Sequence, residues 1–118
     1  MGNDRISITL NEMKYNARMD FHCIAMTQHV LKQDFKLDLK IPEIMSNIIE
    51  KQNWLTIETL IVQAIKRFHP QLNTEQILAN MKYHERDNII TYVVELIVAS
   101  MPQEENADKK KVDNQEEN

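Results

Sequence analysis

The sequence predicts a mainly α protein: an N-terminal β-hairpin packed on a bundle of about five helices, followed by a disordered acidic tail. Three observations predict it. Residues 5–10 and 13–19 alternate apolar and polar side chains, apolar residues from 21 to 101 recur at helical spacing, and almost none occur after Pro102. A chain of 118 residues is long enough for one compact core and too short for two ordinary domains, which gives a single domain over 5–101 and a tail over 102–118.

In the first segment Ile6, Ile8 and Leu10 alternate with Arg5, Ser7 and Thr9, the period of a half-buried strand. Met13, Tyr15, Ala17 and Met19 repeat the pattern, and Asn11-Glu12 between the two strands fits a two-residue hairpin turn. Asn11 tolerates the positive φ that such a turn needs, whereas Glu12 stands where glycine is preferred. Asp20 is placed to cap a helix over about 21–33, with Phe21, Ile24, Ala25, Gln28 and Leu31 on one face. Leu37, Leu39 and Ile41 alternate with charged residues and give an extended connector or a short third strand. Pro42 suits the first turn of a helix running to about Gln52, with Ile44, Met45, Ile48 and Ile49 inward. Asn53 ends that helix or caps the next, which covers 54–69 with Trp54, Ile57, Ile61, Ala64, Ile65 and Phe68 on one face. Pro70 closes it, and Asn73 with Gln76 supplies the start of a helix across Ile77, Leu78 and Met81. The last helix, about 87–101, is apolar nearly all round and carries one internal charge, Glu95. Such a helix is either the central core element or has a second face that meets another molecule.

Composition excludes several classes of function. The net charge of −4, with Lys and Arg scattered, does not supply the basic face that a phosphate backbone needs. The single glycine, Gly2, leaves no phosphate-cradling loop, and the single cysteine, Cys23, leaves no internal disulfide or cysteine-based zinc site. No apolar run is long enough to span a membrane, and Met1-Gly2-Asn3-Asp4-Arg5 is unlike a secretory signal, so a soluble cytoplasmic chain is expected. His22 and His29 are two helical turns apart, too far to chelate one ion alone. His69, at a helix end, reads as a structural residue interacting with the dipole, and His84-Glu85-Arg86-Asp87 as a solvated corner with no nucleophile or pocket beside it. The residues therefore point to no catalytic centre, cofactor or metal.

The segment from Ile6 to Phe21, in particular Leu10-Asn11, Tyr15, Arg18 and Phe21, resembles the opening of small tail assembly chaperones of long-tailed (siphovirus-like) bacteriophages and prophage elements. Those proteins begin with a strand, a tight Asn-Gly turn, a second strand bearing an aromatic and a basic residue, and a helix; Glu12 departs from the expected glycine. The resemblance extends loosely over 5–101 and implies a non-enzymatic protein of the host cytoplasm, absent from the finished virion. Its implied partners are the tail tape-measure protein and tail tube subunits, bound during tail morphogenesis. It also implies that a longer form can arise by ribosomal slippage, to which Lys109-Lys110-Lys111 is suited, although the run reads first as an ordinary charged tail. On this reading the faces carrying Trp54, Ile61, Phe68, Tyr92 and Leu96 are the candidate partner-binding surface, each residue being open to a core role as well. The alternative is a small helical adaptor or regulatory domain that self-associates through its last helix.

Overall fold

The computed structural model describes residues 5–101. Strands β1 (Arg5–Leu10) and β2 (Met13–Arg18) form an antiparallel hairpin, followed by α1 (Phe21–Phe35), α2 (Ile41–Ile49), α3 (Trp54–Lys66), α4 (Thr74–Leu78) and α5 (Arg86–Ser100). The hairpin packs on this five-helix array, as the alternation and helical spacing predict. The predicted tail over 102–118 and the Lys109-Lys110-Lys111 run lie outside the described residues.

The register pairs Leu10 with Met13 and Ile8 with Tyr15 across a two-residue turn. Asn11 and Glu12 take φ of 52° and 68°, so both central residues are left-handed, as the turn that matches strand twist requires. Lys36 (φ 59°) and Gln52 (φ 47°) are left-handed as well, at the ends of α1 and α2. A chain whose one glycine is Gly2 must place other residues at these four reversals, against a steric preference.

Helix starts follow the caps in the sequence. The Asp20 carboxylate accepts from the Cys23 N–H at 2.8 Å, and Asn53 Oδ1 from the Thr56 N–H at 3.0 Å. Asn73 and Gln76 exchange reciprocal side-chain to backbone bonds of 2.8 and 2.9 Å, closing a capping box. Helix ends depart more. The helix expected to reach Gln52 stops at Ile49, beyond which the Lys51 N–H turns back to the Ser46 carbonyl and the Asn53 N–H to the Asn47 carbonyl. The helix expected to reach residue 69 stops at Lys66, where Phe68 and His69 both donate to the Ile65 carbonyl. Pro70 disfavours helical geometry at the residue before it, and the last turn tightens. The segment 36–40 forms no third strand. Gln28 holds it by donating to the Leu39 carbonyl at 2.8 Å, and Leu39 lies partly buried against the core.

The centre of the molecule is α3, which packs against β2 and the other four helices. Ile57, Leu60, Ile61, Ala64 and Ile65 are buried there together with Ile8, Leu10, Leu31, Ile44, Ile77, Ile89 and Leu96. This burial supplies the main driving force for folding.

Candidate partner-binding surface

Along α5, Ile89, Val93 and Leu96 face the core, whereas Val94, Val98 and Met101 are more than half exposed, with Ile90 and Ile97 between them in burial. At ~100° per residue these two sets lie side by side on the helix, so the apolar arc covers roughly two-thirds of its circumference. Thr91 and Glu95 fill the exposed polar remainder. The exposed stripe continues onto α2 through Ile49, which is 57% exposed. A shallow groove of about 70 Å³ separates the helices, lined by Ile48, Ile49, Gln52, Ile57, Ile90, Val93, Val94 and Ile97. Its chemistry is that of apolar contact. Among the described residues no group of three His, Cys, Asp or Glu side chains is placed to hold a metal ion.

The structure divides the five sequence candidates. Ile61 and Leu96 are fully buried, so neither can meet a partner on this folded surface. Trp54, Phe68 and Tyr92 are half-buried. The face from Trp54 to Phe68 is thus not a free surface: its central residues are the core, and only its two ends reach solvent. Phe68 lies beneath the Arg18 guanidinium, 4.9 Å from its ring centroid. Tyr92 is a tie between α5 and the hairpin. Its hydroxyl accepts from the Thr9 N–H and donates to the Thr9 carbonyl, both at 3.3 Å. Sequence reasoning missed Val94, Val98, Met101 and Ile49 as the exposed apolar set. Their signal was present in the apolar excess of α5, but burial and exposure use the same residue types there.

Four further hydrogen bonds hold the hairpin to the helical part of the molecule. His69 Nε2 accepts from the Asn16 N–H at 3.1 Å. His69, expected as a structural residue at a helix end, clasps β2 through this bond. The cluster at 84–87 is not simply a solvated corner. Glu85 closes a 3₁₀ turn over Tyr83–Glu85 and accepts from the Asn11 N–H at 3.1 Å, bracing the hairpin tip. Asn80 accepts from the Asn11 side chain at 3.2 Å and donates to the Tyr15 hydroxyl at 2.9 Å.

Just past the end of β2, away from the hairpin turn, Asp20 receives Arg67 across 47 residues of sequence. Arg67 Nε lies 3.1 and 3.0 Å from the two carboxylate oxygens, and Nη2 lies 2.8 Å from Oδ2. Burial works to raise the Asp20 pKa, but the hydrogen bonds from Arg67 and the Cys23 N–H and the charge of Arg67 outweigh it and hold it below 3.8. Neighbouring Cys23 is buried, and desolvation, with the Asp20 charge adding to it, pushes its thiol up to about 12.

No known protein family, curated protein or solved structure matches this chain. Among the described residues, no helix is long and apolar enough to cross a membrane.

Proposed function

We propose that the chain is a non-catalytic tail assembly chaperone of a long-tailed bacteriophage or prophage. It covers apolar helical segments of the tape-measure protein, and apolar surface of tail tube subunits, in the host cytoplasm during tail morphogenesis, and it leaves before the virion is complete. The observation that carries this reading is the exposed apolar stripe of α5 and Ile49. The resemblance of residues 6–21 to such chaperones supplies the identity of the partners.

The physical argument is one of coverage. A long helical protein with unpaired apolar faces aggregates until it polymerises, and a helix laid against an apolar stripe hides such a face. Helix α5 has 15 residues and spans about 22 Å, enough for some four turns of a partner helix. The net charge of −4 favours solubility of the complex.

Co-expression with fragments of a candidate tape-measure protein, followed by size-exclusion chromatography with light scattering, tests the reading. A fragment that is insoluble alone is expected to elute as a soluble complex with this chain. The double variant Val94→Glu/Val98→Glu should fold and lose the complex. A second reading uses the same stripe: with Glu95 as its one internal charge, α5 could instead pair with α5 of another copy. A stable dimer of the chain alone, with no rescue of any fragment, would replace the chaperone by a homodimeric adaptor.

A further inference from the structure

A second surface lies on the other side of α3. Ile57 borders the α2/α5 groove, while Glu58, Val62 and Lys66 line a larger cavity of about 370 Å³ between α1, α3 and α4. At ~100° per residue, the cavity-lining side of α3 is roughly opposite Ile57. Val30 and Phe35 of α1 and Leu78 of α4 make its walls apolar, and Phe35 is 45% exposed. Three carboxylates, Asp34, Glu58 and Glu75, share the lining with a single cation, Lys66.

Glu58 is the least comfortable of these groups. It is half-buried, and among the described residues its carboxylate has neither a hydrogen bond nor an ion pair. Desolvation raises its pKa. A carboxylate so placed gains more from an incoming cation than a fully solvated one, because its water shell is already incomplete.

We infer that this trough is a docking site for a protein helix whose apolar side chains rest on Val30, Phe35 and Leu78 and whose Lys or Arg pairs with Glu58. The charge balance of the lining selects the cation. The backbone argument selects a helix over an extended segment: the walls are helices, whose backbone groups bond internally, so an extended peptide would find no ladder to complete, whereas a helix brings its own hydrogen bonds. The site is distinct from the α5 stripe and does not depend on the tail-assembly reading. With both surfaces in use, the domain would hold two helical segments on opposite sides of α3.

The test uses the full chain and a fluorescein-labelled peptide of about 18 residues, five turns of leucine and lysine at helical spacing, against the same peptide with glutamate for lysine. Anisotropy should report binding of the lysine peptide alone, and amide chemical-shift changes should fall in 26–35, 58–66 and 74–78. Glu58→Lys should weaken binding by about tenfold or more, whereas Glu95→Lys, equal in charge and located on α5, should change it by less than about threefold. Glu58→Gln, which keeps the shape of the side chain, and Phe35→Ala should weaken it in the same direction; these serve if Glu58→Lys does not fold. Equal binding of the glutamate peptide, equal losses for Glu58→Lys and Glu95→Lys, shifts confined to α5, or no binding of the lysine peptide would each overturn the assignment.

Discussion

Replacing Asp20 separates two contributions that one carboxylate makes at once. It caps α1 through the Cys23 N–H and anchors Arg67, the residue that follows α3, through a two-oxygen contact. Loss of an N-cap costs about 1 kcal/mol. The side chains of Arg67 and Asp20 are 31% and 26% exposed, and their geometry is bidentate, so the pair belongs at the upper end of surface ion pairs, about 1 kcal/mol. Asp20→Ala should therefore cost about 2 kcal/mol, a fall in Tm of roughly 8–16 °C in a domain of this size. Asp20→Asn keeps a good capping oxygen and loses only the charge, so it should cost about half as much. The pH dependence follows from the lowered pKa. The folded value lies below 3.8, so the stabilisation from the ion pair is complete above that value and is lost as pH falls through the lower, folded one. The gap between wild type and Asp20→Asn should thus be constant at neutral pH and close as pH falls below 3.8 through the lowered folded value. Thermal and urea unfolding followed by circular dichroism at neutral and acidic pH, with Arg67→Gln completing a double-mutant cycle, measures each quantity. If Asp20→Asn costs as much as Asp20→Ala at neutral pH, or its gap to wild type survives at acidic pH, the division between cap and ion pair is wrong.

Three further outcomes are expected. Glu12→Gly should raise stability by about 0.5–1 kcal/mol, since relief of the left-handed strain at φ 68° exceeds the added entropy of the unfolded chain, and Lys36→Gly should behave alike at φ 59°; unchanged or lower midpoints for both would contradict this. Leu96→Ala should cost about 2–5 kcal/mol by opening a cavity at a fully buried position, whereas Val98→Ala, at 59% exposure, should stay within about 0.5 kcal/mol; similar urea midpoints would place both residues on the same side of the surface. Cys23, buried and with its thiol pushed up to about 12, should react with a thiol reagent at mildly alkaline pH only as fast as the protein unfolds, and rapid labelling of the native state would contradict its burial.

The sequence signals that proved readable are local ones. Alternation specified both strands of the hairpin, and Asp20, Asn53 and the Asn73/Gln76 pair marked three helix starts, because a cap acts within four residues of its own position. The alternating segment from Leu37 to Ile41 lacked such specificity: a five-residue pattern has no strand without a neighbour to pair with, and the left-handed Lys36 instead turns it back beneath Gln28. The ties that orient the elements were not readable at all. Asp20 to Arg67, Thr9 to Tyr92 and Asn16 to His69 join residues 47, 83 and 53 positions apart, and nothing local marks either member of a pair. The surface was readable in part. The apolar excess of α5 announced a second face, but Leu96 and Val98 are chemically alike and differ only in the direction they point. Glu58 carried no signal until α1 and α4 walled in one side of α3.

These long-range ties also bear on how the domain can bind. A two-stranded hairpin has two free edges, which invite strand addition by another chain. In this register Leu10 and Met13 flank the turn as a hydrogen-bonded pair, so Thr9 on β1 and Asn16 on β2 direct their backbone groups outward. Tyr92 takes both outward groups of Thr9, and His69 takes the outward N–H of Asn16. A strand adding to either edge would have to displace one of these side chains, and displacing Tyr92 would also free α5 from the hairpin. With these edge groups taken, helix faces offer exposed apolar side chains for binding, Val94 and Val98 on one side and Phe35 on the other. The Tyr92 contact should therefore act on binding only through the position of α5. Tyr92→Phe removes the hydroxyl and keeps the ring, and it should loosen the β1 edge, seen as faster exchange of the Thr9 amide, while leaving the packing of Val93 and Leu96 in place. If Tyr92→Phe leaves Thr9 exchange unchanged, the hydroxyl does not guard the edge, and strand addition returns as a mode of binding for this domain.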